Sequence, residues 1–446
     1  MKKGLLFFVL FILLVSRSIS SNAQYSIPAK MQWWYESRFG MFIHFGSYSY
    51  LERGEWVFSV ENWSKSEYQT KCSSHFNPLN FNATEIVSLA KNAGMKYIVI
   101  TAKHHEGFAM WKTSVQSFKD TTDSKLFDLY HFANFKRDIL AELKAECDKQ
   151  GIKFCLYYSI LDWNHPSQQI SKGDIVFSTI ASSKAKADYI VDMKAQLKEL
   201  IENYNPAALW FDGDWCLNND SINLSQWWTA KDGIDLYNYL ITINPKLVVN
   251  ERVKRGHGLG DYECPENTVP EKALSRPWET CRTLNGSWGF DASKENNYQK
   301  SDSLIIEMVK TISRNGNYLL NIGPRGDGSV SEKTKAVLND FGNWMKINNE
   351  SLIGTTGSPF KIEPSWGYYT KKGNNLFLHI IQWPSNGEIQ IPLLKNTIKS
   401  ISLLHNHKLL GYSKKENYNF ILVPNKAPDM VDSVIKIELT NSVETQ

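Results

Sequence analysis

The segment Ala207–Trp215, which reads AALWFDGDW, is a short apolar run that ends in two carboxylates held between aromatic residues. Short apolar runs bounded by turn residues are typical of strands buried in a parallel sheet. Asp212 and Asp214 follow at the point where such a strand ends. The segment therefore predicts a buried strand that delivers an acid to the edge of a pocket, which makes the chain a candidate enzyme.

The same pattern recurs on both sides of this segment, where β-rich runs alternate with amphipathic helices from about residue 31 to residue 349. Such alternation predicts an α/β fold with a parallel sheet. The predicted strands are Phe39–His44, Tyr97–Thr101, Lys153–Ser159, Ala207–Phe211, Leu247–Glu251 and Tyr318–Ile322. The predicted helices are Asp138–Gln150, Ala185–Asn203 and Glu332–Lys346.

The placement of polar residues favours a barrel over an open doubly wound sheet. Several predicted strands end in His, Tyr, Asp or Arg, and the active sites of (β/α)8 barrels lie at that end of the strands. No glycine-rich nucleotide loop follows the first strand. From about residue 351, short alternating runs predict a C-terminal antiparallel β-sandwich: Leu376–Trp383, Ile398–Leu404 and Val434–Leu439. We therefore expect a (β/α)8-like catalytic domain over residues 24–350 and a sandwich over 351–446.

The first 23 residues have the features of a secretory signal peptide. Lys2 and Lys3 precede the apolar run Leu5–Val15, which is too short to span a bilayer. We therefore expect an exported protein, periplasmic or secreted, without membrane insertion of the mature chain. Its net charge of +4 falls to +1 when Lys2, Lys3 and Arg17 are removed with the leader. A nearly neutral surface argues against a nucleic-acid partner.

Cysteine and tryptophan usage adds two further constraints. The six cysteines are scattered without CxxC spacing, so a zinc site is not predicted, and disulfide pairing stays open. The 15 tryptophans exceed ordinary usage, and sugar-binding clefts place aromatic faces against the apolar faces of pyranoses. Packing in the protein core, without any role in sugar binding, would explain about half of these aromatic residues.

The polar residues at the strand ends are suited to carboxylate chemistry. A serine nucleophile elbow and the HExxH zinc motif are both absent, which weakens serine hydrolase and zinc protease interpretations. Two carboxylates suffice for glycoside hydrolysis. Asp212, near strand-end donors, suits the ionised role, and Glu266, in a loop after Pro265, suits the proton donor. The full set of strand-end candidates is His44, His104, His105, Tyr157, Tyr158, Asp212, Asp214, Arg252, Asp261, Glu263 and Glu266.

Each candidate also has a structural interpretation. A strand-end aspartate is more often a helix cap or turn residue than a catalyst. His104 and His105 point to opposite faces if the strand continues through them, so at most one would enter the barrel unless the strand has already ended. With Glu106 they could bind a metal, but no further ligand set accompanies them, so we expect no metal site.

Together these residues resemble glycoside hydrolase family 29, the α-L-fucosidases, and the likeness covers Trp33 to about Gly328. The resemblance implies an irregular (β/α)8-like barrel, a C-terminal β-sandwich, a retaining mechanism and no cofactor. The matching blocks are WWYESRFGMFIHFGSYS, GEW, TAKHHEGFAMW, YYSILDW, LWFDGDW, VNERV, DYECPE, PWETC with SWGF, and GNYLLNIGPRGDG.

Carried over block by block, the resemblance implies that Asp212 is the nucleophile and Glu266 the general acid/base. Glu263 ranks second for the acid/base, Asp261 and Glu279 also compete, and Glu279 is expected to support the pocket by pairing with a strand-end base. Asp214 is expected to be structural. The residues implied to surround the fucose are His44, Glu55, Trp56, His104, His105, Tyr157, Trp210, Arg252 and Trp288.

Two other functions remain open at this stage. One is a catalytically inactive, lectin-like protein that binds fucose, although a binder has no use for a tuned acid and nucleophile pair. The other is a hydrolase for a different sugar of related stereochemistry, such as galactose. The partner expected in every case is a carbohydrate, a fucosylated glycan by resemblance. The sequence leaves open the linkage cleaved and the oligomeric state, a homo-oligomer included.

Overall fold

The computed structural model describes residues 26–170, 178–180, 182–215 and 228–443 of the 446-residue chain. The predicted signal peptide, residues 1–23, lies outside the described residues. All the predicted site residues lie within them.

Seven strands form one parallel sheet in the order β7, β6, β3, β2, β1, β9, β8. A short antiparallel hairpin, β4 and β5, follows β3. The strands of this part of the chain are β1 (Phe39–Ile43), β2 (Tyr97–Lys103), β3 (Lys153–Ser159), β4 (Gln168–Ile170), β5 (Ser178–Ile180), β6 (Ala208–Asp212), β7 (Val248–Val249), β8 (Glu279–Thr283) and β9 (Asn317–Ile322). The predicted strands are thus present, while β8 lies in a segment that was not predicted as a strand.

An extended segment, residues 261–266, closes the barrel between its two edge strands. The amide of Asp261 donates to the carbonyl of Val249 on the β7 side (2.7 Å). On the other side, the amide of Glu279 in β8 donates to the carbonyl of Glu263 (2.9 Å). The segment runs parallel to both neighbours and occupies the place of an eighth strand. This geometry confirms an irregular (β/α)8-like barrel.

Helices connect the strands and cover the outside of the barrel. Their ends follow local capping chemistry: Asp138 caps the helix after it by accepting from the Ala141 amide, and Gly151 ends that helix in the left-handed conformation (φ 75°). The described helices are α1 (Gln32–Ser37), α2 (Val57–Val60), α3 (Lys65–Lys71), α4 (Ala83–Asn92), α5 (Ile139–Gln150), α6 (Ser183–Tyr204), α7 (Ala230–Ile243), α8 (Ser301–Ser313) and α9 (Glu332–Asn348).

Strand side chains alternate between the helix layer and the barrel interior, which sets the floor of the pocket. On β1, Met41 and Ile43 pack with the outer core, whereas Phe42 faces inward. Phe42 packs there against Trp210 of β6 (ring centroids 4.9 Å apart) and Tyr157 of β3 (5.9 Å). The barrel is therefore filled by aromatic rings below the ends of its strands.

The C-terminal region forms the predicted antiparallel β-sandwich. One sheet has the order β10, β11, β16, β13 and the other β12, β15, β14. Leu378, Ile391, Ile421 and Ile437 are among the buried residues between the sheets. The strands are β10 (Gly367–Lys372), β11 (Asn375–Ile380), β12 (Glu388–Pro392), β13 (Ile398–Leu403), β14 (Tyr412–Lys415), β15 (Tyr418–Leu422) and β16 (Ser433–Leu439).

None of the helices in the described ranges combines the length and apolar character needed to cross a bilayer.

Candidate active site

A cavity opens at the carboxyl ends of the parallel strands and brings together most of the predicted site residues. Both proposed carboxylates, Asp212 and Glu266, contribute to its wall. A cavity with convergent polar groups at this end of a barrel is the usual position of an active site. It is lined by Phe42, His44, Trp56, His104, His105, Trp210, Asp212, Trp215, Arg252, Glu266, Cys281 and Trp288.

Asp212, the last residue of β6, is surrounded by donors. Its Oδ1 accepts hydrogen bonds from Nη1 of Arg252 (3.0 Å) and Nη2 of Arg255 (2.6 Å). Its Oδ2 accepts from the hydroxyl of Tyr157 (3.3 Å). Burial alone would raise the pKa of Asp212, but the guanidinium groups of Arg252 and Arg255 hold it well below its usual range. The carboxylate is therefore ionised at any ordinary pH, as a nucleophile requires.

Glu266 reaches the same cavity from the segment that closes the barrel. Its Oε2 accepts a hydrogen bond from Nη2 of Arg252 (2.8 Å), and its side chain is 41% exposed. The guanidinium of Arg252 therefore joins Glu266 to Asp212. The arrangement places one largely covered carboxylate, with 14% of its side chain exposed, and one more exposed carboxyl group on a single cavity.

The alternation of an extended chain explains why Glu266, and not Glu263, faces the cavity. Tyr262 and Cys264 are buried inside the barrel, where the ring of Tyr262 lies against Trp34 (centroids 4.4 Å apart). Residues two apart on an extended segment share a face, so Glu266 continues the inward row. Glu263 belongs to the opposite row. This pattern of period two was readable in DYECPE.

Asp261 and Glu263, the two other acids of this segment, have other partners. Asp261 accepts from Lys30 Nζ (2.8 Å) and the Tyr237 hydroxyl (2.8 Å). Glu263 lies 4.0 Å from Arg276, outside the cavity. Both contacts lie away from the cavity wall, so Glu266 is the acid of the segment that borders the cavity.

Glu279, the third competitor, is buried beneath the cavity rather than exposed on it. Its carboxylate accepts hydrogen bonds from the indoles of Trp34 (3.2 Å) and Trp210 (3.1 Å) and from the hydroxyl of Tyr97. Burial raises the pKa of Glu279 to about 7. The side chain contacts Trp210 of the cavity wall, and its hydrogen-bond partners are aromatic donors rather than a strand-end base.

Replacing Glu279 by Gln is expected to remove part of the pH dependence of stability. The pKa of this group rises from 4.5 when unfolded to about 7 when folded, so the folded state holds a proton that the unfolded state has lost. The free energy of unfolding therefore falls as pH rises through this window, by about 3 kcal/mol in all. Urea unfolding at about pH 4.5 and about pH 7.5 should show this change in the unsubstituted protein and its loss in E279Q. Equal pH dependence in both proteins would contradict it.

Two of the cavity histidines, His44 and His105, are neutral hydrogen-bonding groups. β2 ends at Lys103, so His104 and His105 follow it in a turn and both reach the cavity. Nδ1 of His105 contacts Oγ of Ser159 (2.6 Å), and Nδ1 of His44 contacts Oδ1 of Asn321 (2.7 Å). Burial lowers the pKa of His44 to about 3 and that of His105 well below its usual range. Neutral imidazoles suit contacts to sugar hydroxyls.

Aromatic rings form much of the remaining wall. Trp56 stacks on Trp215 (centroids 5.9 Å apart, planes 13° apart), and Trp288 lies 5.1 Å from the ring of His44. Glu55 is buried just behind this wall, where its Oε2 accepts from the Gly289 amide (2.8 Å). Tyr157 touches the site through its hydroxyl on Asp212, although neither it nor Glu55 belongs to the cavity lining.

Four residues at the site were not among the predicted ones. Phe42, Trp215 and Cys281 line the cavity, and Arg255 binds Asp212. For Phe42 the signal was available, because it precedes His44 by two residues on the predicted strand Phe39–His44. Arg255 had no such signal, since its contact with Asp212 joins residues 43 positions apart.

Metal binding is not indicated by residue grouping in the described part of the chain, which contains no cluster of three or more His, Cys, Asp or Glu suited to an ion.

Comparison with known proteins identifies the family. The model of the α-L-fucosidase family matches residues 16–350, about three quarters of the chain. The chain belongs to the α-L-fucosidase family. It is therefore a glycoside hydrolase by family, in agreement with the resemblance seen in the sequence blocks.

Individual α-L-fucosidases are similar to this chain over nearly its whole length. The tissue α-L-fucosidase of Bos taurus is 30% identical over 417 residues, which cover 88% of this chain and 83% of that protein. The structure of α-L-fucosidase isoenzyme 1 from Paenibacillus thiaminolyticus is 30% identical with a TM-score of 0.79 and covers 93% and 99% of the two chains. A family 29 α-L-fucosidase from Bacteroides thetaiotaomicron, trapped as a covalent intermediate with 2-fluoro-fucosyl fluoride, is 25% identical with a TM-score of 0.79. That alignment covers 93% of this chain and 97% of the other.

Proposed function

We propose that this protein is an exo-acting, retaining α-L-fucosidase that releases terminal α-L-fucose from glycans or oligosaccharides. The observation that carries the proposal is the pair of carboxylates, Asp212 and Glu266, on one cavity of an α-L-fucosidase-family barrel. The covalent intermediate trapped in the Bacteroides thetaiotaomicron relative supports a double displacement. The comparisons give no support to the inactive, lectin-like alternative.

In the first step, Asp212 attacks the anomeric carbon while Glu266 gives its proton to the departing glycosidic oxygen. A new C–O bond to the carboxylate forms as the glycosidic bond breaks, which leaves a fucosyl ester on Asp212. The aglycone then leaves as a neutral alcohol.

In the second step, water attacks the anomeric carbon and Glu266 takes up its proton. The ester bond breaks, and its electron pair returns to the carboxylate of Asp212. Glu266 is thus the general base of this step, after serving as the general acid of the first. Two inversions give net retention of configuration.

The rest of the cavity suits a single deoxy sugar. We assign the hydroxyls of fucose to His44, His104, His105 and Arg252, with Glu55 and Tyr157 behind them. Trp56, Trp210 and Trp288 offer rings to the apolar face and the methyl group, since rings pack well on carbon-bound hydrogens.

Export is part of the proposal. The Lys-led apolar run at residues 1–23 predicts cleavage and delivery to the periplasm or the exterior, where fucosylated glycans would be met. N-terminal sequencing of the mature protein from its native host should begin near residue 24.

The proposed activity is tested with 4-nitrophenyl α-L-fucoside. We expect turnover, with the α-anomer of fucose as the first product by ¹H NMR, because double displacement retains configuration. The corresponding α-L-galactoside, which carries an extra hydroxymethyl oxygen, should react more slowly. Fucose binding without turnover would support the lectin-like alternative. Faster hydrolysis of the galactoside would indicate a different natural sugar, and initial release of the β-anomer would indicate a single displacement.

A further inference from the structure

Arg255 makes an unexplained contact with the proposed nucleophile. Nη2 of Arg255 donates to Oδ1 of Asp212 (2.6 Å), on the same oxygen that Arg252 contacts at 3.0 Å. The two arginines differ in setting: the side chain of Arg252 is buried, at 3% exposed, while that of Arg255 is 37% exposed. A half-exposed arginine does not adopt such a position without being held there, because its side-chain entropy opposes it.

Asp214 holds Arg255 in this position. Its Oδ1 lies 3.0 Å from Nε of Arg255, and its Oδ2 accepts from the backbone amide of Arg255 (2.8 Å). The carboxylate thus fixes both the main chain and the guanidinium of one residue. Asp214 is 2% exposed, and its burial would be unfavourable without this cation. The second acid of the AALWFDGDW segment therefore acts on the first through Arg255.

The two oxygens of Asp212 are held unequally as a result. Oδ1 accepts two charged hydrogen bonds from guanidinium groups. Oδ2 has the longer contact with the Tyr157 hydroxyl (3.3 Å) and lies 3.8 Å from Nε2 of His105. The less strongly bonded Oδ2 keeps more of its electron density and is the better attacking atom, while Oδ1 is anchored.

We propose that Arg255, positioned by Asp214, is a further catalytic residue that stabilises the carboxylate of Asp212 as it departs from the fucosyl-enzyme. The proposal rests on the function proposed above. Its chemical step is the second displacement: water oxygen bonds to the anomeric carbon, its proton passes to Glu266, and the bond from that carbon to Oδ2 breaks. The released electron pair spreads onto Oδ1, where the two guanidinium groups stabilise it.

This role predicts unequal effects on the two steps. Without Arg255 the carboxylate is a poorer leaving group, so hydrolysis of the ester slows. In the first step, loss of the same cation makes Asp212 more nucleophilic, which offsets the loss of orientation. A residue that only maintained structure would slow both steps together.

The test measures steady-state and burst kinetics of R255M on 4-nitrophenyl α-L-fucoside. We expect kcat to fall by about ten- to a hundredfold, the usual effect of losing one charged donor at a reacting oxygen. KM should fall with it, so that kcat/KM changes by less than about threefold, and a stoichiometric burst of 4-nitrophenol should appear. R255K keeps the positive charge but not the planar guanidinium, and D214N weakens the contact that holds Arg255. Both variants should shift kcat and KM in the same direction as R255M, but by less.

A matched control is R137M. Arg137 is 39% exposed and pairs with Glu142 (2.6 Å), and it lines a different surface cavity. Its loss should leave kcat and KM unchanged. If R255M does not fold, as judged by thermal unfolding, R255K and D214N carry the test.

The outcomes separate this proposal from the proposed function. Absence of turnover by the unsubstituted enzyme overturns both. If the unsubstituted enzyme turns over, two results overturn the role of Arg255 alone. One is unchanged kinetics in the variants, and the other is an equal fall in kcat and kcat/KM without a burst.

Discussion

Replacing Asp212 by Ala is expected to lower kcat/KM for 4-nitrophenyl α-L-fucoside by about 10⁴-fold or more, the scale seen when a nucleophilic residue is removed. We expect no other carboxylate to form the ester, because Glu266 is the proposed acid/base and Asp214 is bound to Arg255. Steady-state rates on the aryl fucoside measure the loss.

D212A should keep its fold but lose some stability. Loss of the Asp212 carboxylate leaves the buried Arg252 with Glu266 as its remaining carboxylate partner, and a partly unpaired buried charge is unfavourable. D212N keeps the shape of the side chain and should be equally inactive with a smaller shift in Tm. The matched control is D235A, since Asp235 pairs with Lys231 on an exposed helix face. Near-normal rates in D212A would assign the nucleophile elsewhere.

Replacing Glu266 by Ala is expected to act through the leaving group. Aglycones that leave as poor, basic alkoxides need its proton, so kcat/KM for such fucosides should fall by about 10²- to 10⁴-fold. An activated aryl fucoside needs no proton for the first step and should retain most of its kcat/KM. Rates across a series of aryl fucosides measure this, and the slope of rate against leaving-group pKa should steepen in E266A.

Rescue by azide distinguishes Glu266 from Glu263 as the general acid/base. Azide is an anionic nucleophile that needs no general base, so it should restore turnover of the activated substrate by E266A and give fucosyl azide with retained configuration. E263A is the matched control, because Glu263 lies on the same segment in the opposite row. Rescue of E263A without rescue of E266A would transfer the role to Glu263.

The fold was largely predictable because nearly every strand of the main sheet has its own apolar run. Six of the seven strands of the main sheet were predicted with ends close to those observed. The exception, β8 (Glu279–Thr283), is polar in sequence, with its inward carboxylate buried under aromatic donors. Such a strand has no hydrophobic period, so its assignment depends on long-range contacts.

The end of β7 shows how tertiary contacts alter a strand. The sequence predicted Leu247–Glu251, but the strand ends at Val249 and a 3₁₀ turn follows over Glu251–Val253. The amide side chain of Asn250 bonds both the amide (2.8 Å) and the carbonyl (2.9 Å) of Phe211 on β6, which takes the place of ladder pairing. The turn that follows brings Arg252 to the cavity.

Within AALWFDGDW, spacing alone could not separate the two acids. Gly213 between them has a φ of +74°, and a Cβ there would lie 2.7 Å from the backbone nitrogen of Leu161. The chain therefore turns away from the barrel after Asp212, so Asp212 faces the cavity and Asp214 faces Arg255. A glycine between the acids indicated a turn, but not which acid would face inward.

The most direct test of the account is the site of covalent labelling by 2-fluoro-fucosyl fluoride, measured by mass spectrometry of the intact protein and of its peptides. The fluorine slows both steps, and E266Q should slow release of the ester further, so that one fucosyl group accumulates per chain. The account predicts that the label lies on Asp212. A label on another carboxylate, or inactivation without any covalent adduct, would contradict it.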